Sequence, residues 1–572
     1  SVDSSQIAGF ASTFTEVLFA SHTNHIRSYG PGLSATFSSR GSSSSQVNLY
    51  WNNLPLNSPG LGSTDISLLP SSGFTLTESV GGGSTFYGSQ AMGAAVVVEN
   101  TELRKTAHLK LDAGLGSFGN YFGNLQAQFG NQKWKNSTSV SYQTAKNDFT
   151  YLYRNKEYKR ENADVELLNL TNDFRVQVNS NLLLSAGVWV TLADRGSPST
   201  YIPNVQIKSR LTDNNFKGYV NGMLSLKKGT LQLIQGFLTE NQRFKDNASL
   251  DETNNTFSSV TKAVYSFKPK TKNWTYVAGV ENIWLEATGA SKSDASQNNV
   301  AVFASAKLQN SRLNLVLAAR QEMINNETAP FSPNVGVEYK VLSKLSVVGN
   351  ASYSFRYPSL NDKYWTVGGN PDLLPEQGWS GEAGLKFETK SVELRAVYYN
   401  QRLNNFIQWV PQTGGIWSPQ NIKQIGIDGV DVSAKGKVKI TNWQLSLELG
   451  YLYNQSITEK SDLTYDQSIG KQLIYTPEHK ATANLYGRWK VFQLQFSGIY
   501  TSSVYARADH NPLSFIDAFI VYNAQLSYKT KIKKTRVDVN FALLNFTNKK
   551  YQTILNYPMP GINFKTGIAI TI

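Results

Sequence analysis

Residues 36–70 read TFSSRGSSSSQVNLYWNNLPLNSPGLGSTDISLLP, and residues 81–100 read GGGSTFYGSQAMGAAVVVEN. Arg40-Gly41 leads towards a short apolar run, Val47–Trp51, which Asn52-Asn53 ends as a two-residue turn. A loop of small residues follows at Asn57–Ser63, and the second stretch climbs from Tyr87 into a hydrophobic run ending at Val98. Gly30-Pro31-Gly32, Ser58-Pro59-Gly60 and Gly81-Gly82-Gly83 break residues 1–102 into short strands and loops. Thr13-Phe14-Thr15-Glu16 has capping-box spacing, which predicts a helix over about Phe14–Ala20. So much glycine and serine leaves little apolar surface to bury, and the segment reads as a poor independent folder.

Beyond Leu103 the texture changes to long alternating runs. Trp443, Leu445, Leu447, Leu449, Tyr451 and Tyr453 share one face, against Gln444, Ser446, Glu448, Gly450 and Asn454, with Leu452 the one exception. Leu125, Ala127 and Phe129 alternate with Gln126 and Gln128; Val335, Val337, Tyr339 and Val341 with Gly336, Glu338 and Lys340; Val537, Val539, Phe541 and Leu543 with Asp538, Asn540 and Ala542. Aromatics make up 12 % of the chain while mean hydropathy is −0.33, which suits strands with one apolar and one polar face. The longest aliphatic run, Ala94–Val98, falls far short of the ~18–20 residues a membrane helix requires. Apolar-out, polar-in alternation is the pattern of a transmembrane barrel. Soluble sheets with one wet face alternate in the same way, so alternation alone leaves both open.

Three stretches narrow the choice. Residues 36–98 resemble the N-terminal plug of the TonB-dependent outer-membrane receptors. Phe355–Glu376, FRYPSLNDKYWTVGGNPDLLPE, resembles their mid-barrel FRxP…L…NPDLxPE motif. The end of the chain, FALLNFTNKKYQTILNYPMPGINFKTGIAITI, resembles their penultimate strand, turn, MPG loop and closing strand. It departs from the pattern at Ile572, where such barrels usually end in an aromatic residue. Within the family the plug is most similar to compact Bacteroidetes-type cobalamin (vitamin B12) receptors. Ser28-Tyr29-Gly30, Leu33-Ser34-Ala35-Thr36, Arg40-Gly41, Trp51-Asn52-Asn53 and Ser58-Pro59-Gly60 carry that likeness, with Asn53 standing where glycine is expected and Gly93-Ala94-Ala95 for Gly-Gly-Ala/Val.

The resemblance implies a β fold: a 22-stranded antiparallel transmembrane β-barrel (residues 103–572) occluded by a small α/β plug (residues 1–102) in the bacterial outer membrane. Twenty-two strands over that length leave connections of about ten residues. Short periplasmic turns such as Gln309-Asn310 are expected, with outer loops over 193–205, 239–258, 286–299, 355–379, 402–421, 455–475, 503–517 and 551–563. The family draws energy from an inner-membrane TonB complex through an N-terminal Ton box, and residues 1–12 contain no convincing one. No leader is visible at Ser1, so the chain reads as a mature form or a fragment.

Catalytic signatures are absent from the sequence. Neither Gly81-Gly82-Gly83 nor Gly41–Ser45 belongs to a G-x-x-x-x-G-K-[ST] phosphate loop, and no G-x-S-x-G elbow occurs. His22, His25, His108, His479 and His510 are dispersed; His22 and His25 stand three apart without cysteine or clustered carboxylate beside them. Haem receptors of the family place an iron-ligating histidine between the two mid-barrel motifs, and Tyr357–Gly369 contains none. No enzyme activity, resident metal or cofactor is therefore expected. The net charge of +14 is scattered over turns and strands without a lysine/arginine tract, which argues against nucleic acid and allows contact with anionic lipid headgroups. Zero cysteines fit an oxidising compartment.

The resemblance places two plug loops, Tyr29–Thr36 and Asn57–Ser63, at an outward apex. Tyr29, Gly32, Leu33, Ser34, Thr36, Asn57, Ser58 and Leu61 are the candidate ligand-binding residues there. Neither loop carries arginine or lysine, which favours a bulky, near-neutral, amide-edged corrinoid over an anionic ferric complex. Trp365, Trp409 and Trp417 are candidates to pack on the ligand from outer loops, or else belong to an interfacial aromatic belt. Two rival readings stay open: a siderophore or glycan receptor working with a surface-exposed lipoprotein, and a non-transporting barrel subunit of an outer-membrane complex.

Overall fold

The computed structural model describes residues 13–572 apart from 81–84, 86–87, 105–106, 201–207, 270–272, 290–292, 413–415 and 463–465. Residues 1–12, Gly81-Gly82-Gly83 and Tyr87 thus lie outside the described residues. Twenty-two antiparallel strands close into one barrel. Its seam joins the last strand, Asn563–Thr571, to the first, His108–Gly116, from Lys565 opposite Gly116 to Thr571 opposite Lys110. Each remaining wall strand pairs with the wall strands before and after it along the chain, so the wall is a continuous up-and-down meander.

The alternation points outward as expected. In the strand Trp443–Lys460, Leu447, Leu449 and Tyr451 are exposed where lipid would lie, while Gly450 and Asn454 face the lumen and are buried. Leu452, the exception to the pattern, also faces inward, in a buried cluster with Met92 of the plug and Leu403 and Ile427 of the wall. The exception is therefore a docking contact. Aromatic pairs gather at the short turns: Trp443 with Trp489, and Phe492 with Tyr528, at centroid distances of 6.2 and 5.5 Å. They form one interfacial girdle. Asn310 caps its short turn by accepting from the Arg312 and Leu313 amides.

Several outer loops are shorter than their sequence implied. Gly229–Asp246 pairs with Asp251–Phe267, so 239–258 is mostly strand, and Val392–Pro411 with Trp417–Ile440 does the same to 402–421. Beyond the membrane both strand faces are polar, as at the successive pairs Glu240 opposite Thr256 and Asn241 opposite Asn255, so the two-residue hydropathy period vanishes while pairing continues. An unexpected hairpin, Thr150–Tyr153 with Lys156–Lys159, stands in the outer loop after the third wall strand.

Inside the barrel, Val47–Trp51 runs parallel to Ala94–Asn100, which pairs antiparallel with Phe74–Val80. Asn52 and Asn53 hold the expected turn with φ of +48° and +71°, a conformation asparagine tolerates in place of glycine. A helix spans Phe14–Phe19, but without the capping box: Thr13 makes no side-chain cap. Glu16 pairs instead with Lys565 of the seam strand. Trp51 is fully buried between the wall residues Trp189 and Tyr219, at centroid distances of 5.6 and 5.2 Å. The plug's core is thus completed by the barrel, which explains its thin apolar content.

Replacing Trp51 with alanine removes that shared core, at a cost of about 3–5 kcal/mol. The expected result is rapid proteolysis of the inner domain while the barrel keeps its heat-modifiable migration on gels. Unchanged protection of the inner domain would contradict the shared-core account.

Candidate functional site

The inner domain is fixed in the lumen by charged contacts that each span the two parts of the fold. Arg40 donates to Glu382 at 2.7 Å and Asp431 at 2.6 Å, and its guanidinium lies 4.8 Å from the Tyr399 ring centroid. Gly41, at φ +77°, brings the backbone so close to Asn454 and Ser456 that no side chain fits. His22 Nε2 is 2.8 Å from Asp431. Gln46 donates to Glu376, whose carboxylate also receives two hydrogen bonds from Arg356. Asp65 accepts from the Ala35 amide at 3.0 Å and from Arg195 at 2.9 Å, tying both apex loops to the wall. Burial works against ionisation of Asp65, but Arg195, Ser67 and the Ala35 amide overcome it and hold its carboxyl below the usual range.

The loop Tyr29–Thr36 closes through Leu33 N to Gly30 O and Tyr29 N to Ser34 O. Thr553 fastens it, accepting from the Ser28 amide and donating to the Ser28 carbonyl, while Asn147 donates to Pro31 O. Tyr29 stays 40 % exposed and meets Tyr557 edge-on at 4.7 Å. Leu33 is buried against Leu68, Val165 and Leu167, and Gly32 lies against Val165. Both therefore dock the loop to the wall. Ser34 and Thr36 are half-buried.

In the second loop, Asn57 spends its side chain internally, accepting from Leu49 N and donating to the carbonyls of Val47 and Gly62. Ser58 closes the loop through its backbone to Ser63 and Gly62 and hydrogen-bonds Glu240. Leu61 is exposed. A short helix, Leu360–Tyr364, roofs this loop: Leu360 N and Asn361 N donate to Pro59 O and Gly60 O at 3.0 Å. Trp409 Nε1 donates to Asp362 of that helix, and half-buried Trp365 ends it. Trp417 is exposed at a hairpin tip, its backbone against Gly368. The tryptophans thus gather on the side of 57–63, whereas Tyr29 contacts the loop between the last two wall strands.

Four residues around Tyr29 were not picked out from sequence. The Arg27 guanidinium stands 5.8 Å from the Tyr475 ring, Arg160 stands 5.4 Å from the Tyr557 ring, and the Tyr475 hydroxyl accepts from Leu555 N. Two cations therefore flank an apex whose own loops carry none, so the loop composition alone understates its positive charge. Both tyrosines fall in or beside expected outer loops, yet nothing in sequence separates a site tyrosine from a belt tyrosine. Arg27 hides inside a short plug strand.

Comparison with known proteins bears on both parts of the fold. The family model described as TonB dependent receptor-like, beta-barrel matches residues 108–546, and that of the TonB-dependent Receptor Plug Domain matches residues 1–95. The vitamin B12 transporter BtuB of Photobacterium profundum is 23 % identical over 533 residues, covering 91 % of this chain and 83 % of that protein. BtuB of Vibrio vulnificus is 28 % identical over 116 residues, 20 % of this chain and 19 % of that one. Among solved structures, the FrpB iron transporter of Neisseria meningitidis superposes with a TM-score of 0.82 at 13 % identity, covering 100 % of this chain and 98 % of that one. The copper transporter OprC superposes at 0.81 with 12 % identity, covering 99 % and 97 %. At such identities the superpositions speak for the fold.

Beneath the apex, His25 is buried, and Lys480 donates to the carbonyls of Ser21 and Asn24 beside it. Burial, with the charges of Lys480 and Arg27, lowers the His25 pKa from 6.5 to about 3. The docked domain thus keeps the ring neutral, whereas the released domain protonates it below its ordinary pKa. The His25 contribution to docking is fully present above pH 6.5 and is lost as pH falls towards 3. By about pH 5 the loss is about 2 kcal/mol. Calorimetry should show the release transition at lower temperature at about pH 5 than near neutrality, with the gap narrowed in His25→Gln. An equal gap in that variant would remove His25 as the cause.

Proposed function

Because this chain belongs to the TonB-dependent receptors of the bacterial outer membrane, we propose that it imports a corrinoid, bound over Tyr29 between plug apex and outer loops. The family is one of receptors and transporters, which engage TonB and a small-molecule ligand. In this reading residues 1–102 act as the plug and residues 103–572 as the barrel. The observation that carries the choice of ligand is the relation to a vitamin B12 transporter through 91 % of the chain, plug and barrel together. The apex chemistry agrees with it. Tyr29, Tyr475 and Tyr557 offer flat aromatic walls with hydroxyl tips, and Ser34, Thr36 and the loop backbone offer hydrogen-bonding groups for peripheral amides. In this reading Leu61, Trp365, Trp409 and Trp417 would supply a second wall on the side of Asn57 and Ser58.

Release follows from the contacts that hold the plug. A pull on its N-terminal side reaches the Phe14–Phe19 helix and its Glu16–Lys565 pair before the deeper contacts of Arg40. Displacing the plug takes Ser28 from Thr553 and frees the Tyr29 loop, which weakens the hold on the ligand.

A second reading draws on Arg27 and Arg160, whose charges beside Tyr29 would suit an anionic ferric complex. A surface lipoprotein lid belongs to that reading. Calorimetric titration of the purified protein with cyanocobalamin and with ferric citrate separates the two. Submicromolar, one-to-one cyanocobalamin binding, weakened about tenfold or more in Tyr29→Ala, is expected for the corrinoid receptor. Ferric citrate binding that fails in Arg160→Gln, with no response to cyanocobalamin, would transfer the assignment to the ferric complex.

A further inference from the structure

The net charge of +14 is scattered along the sequence, but the barrel gathers part of it in one place. Eight neighbouring wall strands run from Trp417–Ile440 round to His108–Gly116, beyond the seam. Near their short-turn, periplasmic ends stand Lys437, Lys439, Arg488, Lys529, Arg536 and Lys110. The chain neighbours Val438, Trp489, Tyr528, Val537 and Leu111 belong to the outward rows of those strands. All six cations therefore face the lumen. Lys437, Lys439, Arg488 and Arg536 are exposed with the plug seated, so the periplasm reaches them without any rearrangement.

Little acid answers them. Asp538 pairs with Arg536 at 3.3 Å, and among the described residues Lys437, Lys439 and Arg488 make no ion pair. Lys529 lies in the field of Arg536, Arg488 and Lys110, opposed by Asp538. The adjoining sector is balanced instead: Lys386 pairs with Glu388 at 2.7 Å, and Arg395 stands 3.8 Å from Glu382. Register adds a finer pattern. Lys439 is opposite Gln444, Gln444 opposite Arg488, and Arg488 opposite Gln493, so cation and amide alternate along one row. The two cations of that row are two strand widths apart, about 10 Å. The Debye length at physiological ionic strength is about 8 Å, so their fields overlap.

We propose that this arc of the periplasmic mouth is a docking surface for an acidic, extended segment of a periplasmic protein. Lipid headgroups lie on the other side of the wall from side chains that point into the lumen. A single small anion is a poor match as well, because the cations are exposed and spread over an arc on the order of 30 Å. An extended segment of about ten residues has that length. Its carboxylates meet the cations, and its backbone meets Gln444 and Gln493. Such a contact forms fast, steered by charge, and weakens as salt rises. It does not depend on which cargo the barrel carries.

The experiment titrates fluorescein-labelled decaglutamate into the full purified protein, held in phosphatidylcholine nanodiscs, and follows fluorescence anisotropy. Micromolar binding is expected at low salt, lost at about 0.5 M sodium chloride. Combining Lys437→Gln, Lys439→Gln and Arg488→Gln should weaken it about tenfold, while Arg488→Lys alone should keep it. Neutralising two outer-loop lysines, Lys159→Gln with Lys423→Gln, should leave it unchanged. The surface is overturned if decaglutamate does not bind, or if the triple variant, still showing heat-modifiable migration, binds as tightly as the parent. Loss of binding in the outer-loop pair would overturn it too, by placing the contact on the opposite side of the membrane. Tripolyphosphate that displaces the peptide at equal or lower total charge would make this a small-anion site and end the proposal.

Discussion

A guanidinium inside a protein must be paired, and Arg40 finds its partners, Glu382 and Asp431, on a different part of the fold. Buried ion pairs contribute little net stability against an apolar alternative, yet losing one partner is costly, so they specify position more than they add strength. Arg40, Gln46 and Asp65 each meet one place on the wall, and together they set the height and rotation of the plug. Apolar packing of Trp51 on Trp189 and Tyr219 supplies contact area but tolerates sliding. The polar contacts remove that freedom. They also suit reversible release, because charges drawn into water recover their hydration while an exposed tryptophan does not.

The apex inherits its shape from this arrangement. Asp65 joins the two plug loops through Ala35 and fastens them to Arg195, so neither loop is placed by its own sequence. Within them the residues divide the work: Gly32, Leu33 and Asn57 hold the loops, while Tyr29 and Leu61 present side chains outward. The barrel supplies the rest, with Tyr557, Tyr475 and Arg160 on one side and the roof carrying Asp362 and Trp409 on the other. Specificity in such a site rests with outer loops, which vary easily on a fixed wall.

The fold was legible because a barrel wall repeats one rule many times, and Trp443–Tyr453 states that rule almost without exception. Leu452 broke it for a reason visible only when Met92 arrives from far away in the chain. The capping box failed in the same way: its spacing was correct locally, but Lys565, 549 residues on, took the glutamate. Loop lengths were overestimated because strand pairing continues above the membrane, where both faces are wet. The plug loops stand out in the sequence as a candidate site through their glycines and small residues. Arg27 and Arg160 were not, since a cation is assigned to a site only by what stands beside it.

The role proposed for the chain is energy-coupled import of a corrinoid. Uptake of radiolabelled cyanocobalamin, in cells lacking their own receptor and expressing the complete gene product, tests it most directly. Accumulation that stops when the proton gradient is collapsed is the predicted result. Surface binding that never becomes internal, or no cell-associated label at all, would contradict it.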